Sequence, residues 1–157
     1  MDIVTDPIIP PALQEEGFRN GRSVGMVPLM TVGPTVMSIP TGQAFLAMQA
    51  AAAADGVNLT LVKLSGFRTM AQQIWLSKNP PVKNGIVSKV AAPGKSNHQG
   101  GVAVDIASAS GPPYGPENAV FKWLKANAAR FGFDNKEGAS VREPWHWTYL
   151  AATRPYV

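Results

Sequence analysis

The sequence predicts an α+β fold, a small and largely antiparallel sheet packed with about three helices. Three observations carry that prediction. Helical and strand-like patterns interleave, but the strand patterns are few and short, which fits helices laid on a small sheet better than repeated parallel crossover units. The 157 residues include 15 Gly and 14 Pro, so many turns and long loops must separate short elements. Hydrophobic residues make up 45% and charged residues 15%, enough apolar material for one core in a chain of single-domain length.

Residues 1–40 carry six prolines, Pro7, Pro10, Pro11, Pro28, Pro34 and Pro40, around short apolar pieces such as Val24-Gly25-Met26-Val27 and Thr35-Val36-Met37. Proline is excluded from helix interiors and central strands. This part is therefore expected to be an extended arm with one or two short strands that packs on the domain formed by residues 41–157.

From Thr41 the pattern turns helical. Phe45, Met48 and Ala52 share one face, alanine supplies propensity, and Gly56 stands where a C-terminal cap belongs. Leu59 to Leu64 reads as a strand running into Ser65-Gly66. A second helix opens at Thr69, where Thr69-Met70-Ala71-Gln72 fits a capping box, and Pro80-Pro81 stops it. Residues 82–97 read as loop, Gly101 to Ile106 as a short strand and residues 108–116 as another loop. Pro116 stands at the start of a third helix with Val120, Trp123, Leu124 and Ala128 on one face, ended by Phe131-Gly132-Phe133. Trp145 to Leu150 alternates as a final strand.

Composition closes several functional classes. Without cysteine, disulfide scaffolds, Cys-ligated metal sites and Cys nucleophiles are impossible. The net charge of +4 would suit an anionic partner, but the basic residues never cluster beyond two, so no nucleic-acid partner is expected. No apolar run reaches the roughly 18 residues of a membrane span, and Met1 to Pro7 lacks the basic start and apolar stretch of a secretory signal.

The two histidines, His98 and His146, each stand near a carboxylate, Asp105 and Glu143 respectively. Two His and one Asp satisfy the three-ligand count of a catalytic metal such as zinc, leaving Glu143 to take a proton from water. On a strand over residues 101–106, Gly101, Ala103 and Asp105 would share one open face. Taken singly, each residue is equally an ordinary core histidine, strand-end acceptor or solvated carboxylate. The segments lie about 40 residues apart, so spacing leaves both readings open.

Three blocks go further. Ser96-Asn97-His98-Gln99-Gly100-Gly101-Val102-Ala103-Val104-Asp105 fits every fixed position of Ser-x-His-x-x-Gly-x-Ala-x-Asp, Glu143-Pro144-Trp145-His146 fits Glu-x-Trp-His, and Ser65-Gly66-Phe67-Arg68-Thr69, followed by Gln73, precedes both. In this order they resemble VanY-type D-Ala-D-Ala carboxypeptidases and the related L-alanyl-D-glutamate endolysin peptidases of the LAS zinc metallopeptidases, which have a hedgehog/DD-peptidase fold. The likeness covers roughly residues 41–150 and departs only at variable positions such as Asn97 and Gly100.

The resemblance implies that His98, Asp105 and His146 are ligands of Zn2+. It implies that Glu143 is the general base and later the acid, and that Arg68 stabilises the developing oxyanion or a substrate carboxylate. Ser96 and Gln73 fall on substrate-binding positions. The implied partner is the peptidoglycan stem peptide, and the implied reaction is removal of the terminal D-Ala from D-Ala-D-Ala. L-Ala-D-Glu endopeptidase activity and a non-catalytic zinc-bearing binding module are the alternatives. A monomer acting in the bacterial periplasm or cell wall is expected, reached as a phage lysin, as a secreted effector or after loss of a leader. Residues 78–97 and 108–116 are the expected specificity loops. Trp145, Trp147 and Tyr149 are expected in the core, with Trp75 the aromatic best placed for substrate.

Overall fold

The computed structural model describes residues 14–83, 85–87, 89–108 and 117–150. Strand β1 (Gln14–Arg19) turns through Asn20-Gly21 into β2 (Arg22–Val32). Both turn residues have positive φ, 52° and 79°, as a two-residue hairpin of matching twist requires. Gly33-Pro34 then leads into β3 (Thr35–Ser38), and the three strands form an antiparallel sheet in the order β1-β2-β3.

The segment expected to hold one or two short strands thus holds three, and Pro28 lies inside the middle one. The register explains how. Residues 22–28 of β2 pair only with β1, and residues 29–32 pair only with β3. Pro28 sits at the changeover, exposed, opposite the first residue of β1, so its missing N–H interrupts neither ladder. Pro7, Pro10 and Pro11, expected in the same arm, lie outside the described residues.

Helix α1 (Ile39–Ala54) starts two residues earlier than predicted, because Ser38 caps it by accepting from Thr41 N and Pro40 fits its first turn. Thr41, Phe45, Met48 and Ala52 form its buried face. Helix α2 (Met70–Lys78) carries the predicted capping box, with Thr69 Oγ1 accepting from Gln72 N and Gln72 Oε1 accepting from Thr69 N. Leu59 to Leu64 is not a strand. Only Thr60 bridges to Ala107, and the run ends at Leu64 with φ 65°.

Within the predicted loop of residues 82–97 lies a minimal hairpin of β4 (Val82–Lys83) and β5 (Ile86–Val87), and a 3-10 turn (Asn97–Gly100) follows it. Gly101 is that turn's left-handed cap, not a strand residue, so β6 is confined to Ala103–Asp105. Helix α3 (Ala119–Asn127) is capped by Asn118; the predicted start at Pro116 and most of the loop 108–116 lie outside the described residues. A 3-10 turn over Ala128–Phe131 leads to β7 (Phe133–Asp134), and an unpredicted five-residue helix α4 (Lys136–Ser140) precedes β8 (His146–Tyr149).

β8 is the centre of the second sheet, antiparallel to both neighbours in the order β6-β8-β7. Because α1 and α3 cover one of its faces and the site covers the other, His146, Trp147 and Thr148 are all buried where alternation predicts one wet side. The main core joins Phe45 and Met48 of α1, Val120, Trp123 and Leu124 of α3, and Val104, Phe133, Trp145 and Trp147. Trp123 Nε1 donates to Asp55 Oδ2 at 2.8 Å, tying α3 to the end of α1. A second cluster of Val27, Leu29, Val36 and Phe67 locks the first sheet onto the segment that carries Arg68.

Candidate functional site

The antiparallel register of β6 on β8 sets Asp105 directly opposite His146. Cross-strand partners project to the same face, so the carboxylate and the imidazole meet there, Asp105 Oδ1 lying 3.3 Å from His146 Nδ1. His98 arrives from the 3-10 turn, where Ser96 Oγ accepts from its backbone N–H at 3.1 Å. Its ring is oriented by Gly66, whose carbonyl O faces Nδ1 at 2.8 Å, and this leaves Nε2 3.3 Å from the same Asp105 Oδ1. Gly66 lies against β3 so closely that a Cβ would collide with Val36 O, and Phe67 N donates to that oxygen at 2.6 Å.

Arg68 closes the cluster from the opposite side. Its Nε donates to Leu64 O at 2.8 Å, Nη1 to Gln73 Oε1 at 3.4 Å and Nη2 to Asp105 Oδ2 at 3.2 Å. The left-handed backbone at Leu64 aims that carbonyl, a conformation that costs a non-glycine residue of order 1 kcal/mol. Gln73, expected on the substrate side, is fully buried and also donates to Ala91 O at 2.9 Å. It stands behind Arg68 instead.

The second motif is shaped by a turn. His146 N donates to Glu143 O at 3.1 Å, and Asn135 Nδ2 donates to the carbonyls of Glu143 and His146 at 3.3 and 2.7 Å. Glu143 N donates in turn to Gly138 O at 2.7 Å, which fastens α4 to the motif. Arg142, immediately before Glu143, also has positive φ, 60°, so backbone strain flanks both the Arg68 block and the Glu143 block.

These residues line one cleft of about 230 Å³, with Arg68, Ser96, His98, Asp105, Glu143 and His146 all on its wall. An adjoining recess of about 170 Å³ shares Arg68, Asp105 and Trp145 and is otherwise walled largely by apolar groups, among them Val62, Leu64 and Ile106. Of the predicted site residues, only Gln73 is absent from the cleft wall; Trp75 is exposed on α2 and does not line it either. Glu137 of α4 does line it, with Oε1 3.4 Å from His146 Nε2, and the motifs gave no sign of it.

Electrostatics sharpen the picture. Burial, aided by the Arg68 guanidinium, pushes His98 down to about 4, so its ring is neutral near pH 7. Burial also acts to lower His146, but the carboxylates of Asp105 and Glu137 outweigh it and raise that ring to about 9. Asp105 is largely buried, yet His98, His146 and Arg68 hold it well below the usual carboxylate range. The contact with His146 likewise lowers Glu137, against its partial burial. A largely buried, ionised carboxylate between two imidazoles is a donor set of the kind that holds a divalent cation.

The distances fit one. His98, Asp105 and His146 present ligand atoms all within 4.8 Å of one another. Donors about 2.0–2.1 Å from a tetrahedral zinc ion lie roughly 3.3–3.4 Å apart, and both imidazole–carboxylate pairs here stand at 3.3 Å.

Residues 35–152 match the family described as VanY, D-alanyl-D-alanine carboxypeptidase. A D-alanyl-D-alanine carboxypeptidase of Enterococcus faecalis is 46% identical over 77 residues, which is 43% of this chain and 28% of that relative. The chain thus spans under a third of the length of that curated relative. Among solved structures, VanYB in complex with D-alanine-D-alanine superposes with a TM-score of 0.65 at 27% identity, covering 88% of this chain and 89% of its own. A variant of the vancomycin resistance D,D-pentapeptidase VanY, in complex with Zn(II), gives 0.58 at 29% identity over 83% and 84% of the two chains.

Proposed function

The chain belongs to this D-alanyl-D-alanine carboxypeptidase family, and on that premise we propose that it is a zinc peptidase that hydrolyses the terminal D-Ala from D-Ala-D-Ala stem peptides of peptidoglycan. The observation that carries the reading is the convergence of three sequence-distant blocks on one cleft, with two histidines and an aspartate spaced as zinc ligands. His98 through Nε2, Asp105 through Oδ1 and His146 through Nδ1 would hold the ion. When bound, zinc polarises the scissile carbonyl and lowers the pKa of water towards neutrality.

The remaining chemistry belongs to the protein. Glu143, half-buried on the cleft wall, accepts the proton of the attacking water and returns it to the departing amine nitrogen, a task worth typically 10²–10⁴-fold. Arg68 serves twice. Through Nη2 it adds to the action of His98 and His146 in keeping Asp105 ionised, and its fixed cation faces the cleft where a substrate carboxylate or oxyanion gathers charge. Gln73 and the Leu64 carbonyl fix its fork, which limits the reorganisation needed during reaction. The apolar recess beside Arg68 offers a methyl-sized side chain such as alanine a dry wall.

The test is mass spectrometry of a purified pentapeptide muropeptide after incubation, with chelated and zinc-restored controls. The proposal expects loss of one alanine, abolished by chelator and restored by zinc. Cleavage between L-Ala and D-Glu would replace it with the endopeptidase reading. Zinc bound with substrate intact, and unaffected by Glu143→Ala, would replace it with a binding module.

A further inference from the structure

The two imidazoles of the site are backed differently. His98 sets its Nδ1 against a backbone carbonyl, Gly66 O, at 2.8 Å. His146 turns Nδ1 towards Asp105, and its buried Nε2 has no hydrogen bond among the described residues. The carboxylate of Glu137 stands 3.4 Å from that nitrogen, and its other oxygen is held by Asn97 Nδ2. Asn97 precedes His98 in the 3-10 turn, while Glu137 sits on α4, which is fastened to the Glu143–His146 turn. One side-chain link therefore joins the segments that carry the two histidines.

We propose that Glu137, fixed by Asn97, is the positioning residue for His146: it takes the Nε2 proton as a hydrogen bond and keeps Nδ1 aimed at the metal position. This rests on the reading of His98, Asp105 and His146 as zinc ligands. Only the tautomer protonated at Nε2 presents a lone pair on Nδ1, and a carboxylate at Nε2 selects that tautomer while making the ring a stronger donor. Without it, a buried N–H would go unsatisfied and the ring could turn. Loss of such a partner typically costs about 10–100-fold in metal affinity. The sequence concealed the link, because Asn97 fills a variable position of its motif and Glu137 stands on an unpredicted helix.

The experiment is competition for Zn(II) between a chromophoric chelator and the metal-free full chain, with the visible spectrum of the Co(II)-loaded protein as second readout. Glu137→Ala should weaken Zn(II) binding by about 10–100-fold and shift the Co(II) bands. Glu137→Gln should recover part of the loss, since an amide oxygen still accepts from Nε2. Asn97→Ala should lose less, in the same direction, and would carry the test if Glu137→Ala failed to fold. Glu137→Ala with affinity and spectrum unchanged overturns the assignment while leaving the zinc site intact. Wild type binding no tighter than His98→Ala would instead bring down the zinc site and the assignment with it.

Discussion

Asp105 carries more of the site than any other residue. One oxygen lies 3.3 Å from each imidazole and the other 3.2 Å from Arg68, so the charge of a single carboxylate faces three neighbours. Asp105→Asn preserves the shape but removes that charge. We expect Zn(II) affinity, measured by chelator competition, to fall further than the roughly 10–100-fold expected for an outer partner. Glu143→Gln should behave differently, retaining zinc while kcat falls about 10²–10⁴-fold in a muropeptide assay. The proposed metal ligands were legible because Ser-x-His-x-x-Gly-x-Ala-x-Asp and Glu-x-Trp-His fix residue types at fixed offsets. The burial of Gln73 and the approach of Glu137 were not, since both depend on which segments the tertiary fold lays together.

Elements were legible where the signal was local. The capping box at Thr69 and the face of Val120, Trp123, Leu124 and Ala128 follow from spacing alone. Leu59 to Leu64 looked like a strand because its apolar residues suit one, yet tertiary contacts took it as a bridge and a left-handed kink that aims a carbonyl at Arg68. Local propensity cannot foresee such a use. Two substitutions test this level. Thr69→Ala removes the cap of α2 and should cost about 0.5–2 kcal/mol, read as a lower Tm. Gly66→Ala drives a methyl into the Val36 carbonyl and should cost about 1–3 kcal/mol. It should also cost zinc affinity, because the same residue orients His98.

In the whole molecule, residues 14–38 are a brace for the site. Val27, Leu29 and Val36 bury Phe67 beside Arg68, and Gly21 N donates to Gly94 O at 2.8 Å, just before the Ser96 motif. Deleting residues 1–35 would strip β1 and β2 from that cluster. Loss of the cooperative thermal transition and of muropeptide hydrolysis is the expected outcome, and a truncated chain that melts and cleaves normally would refute the brace. The sequence pointed to an arm because proline counts speak against strands, whereas what matters is where each proline falls in the pairing.

Pro28 shows what that placement achieves. No residue of β2 pairs with both neighbours, so each half of an 11-residue strand has one side that meets no other strand among the described residues. The two open sides lie on opposite flanks of the strand, on the β3 side for the first half and on the β1 side for the second. An unpaired flank invites a strand from another copy, the first step towards aggregation. Proline at the junction offers no N–H to either flank, so neither open side can run on through the changeover as a longer template. Pro28→Val should therefore leave the fold largely intact yet increase self-association, visible as rising light scattering at high protein concentration.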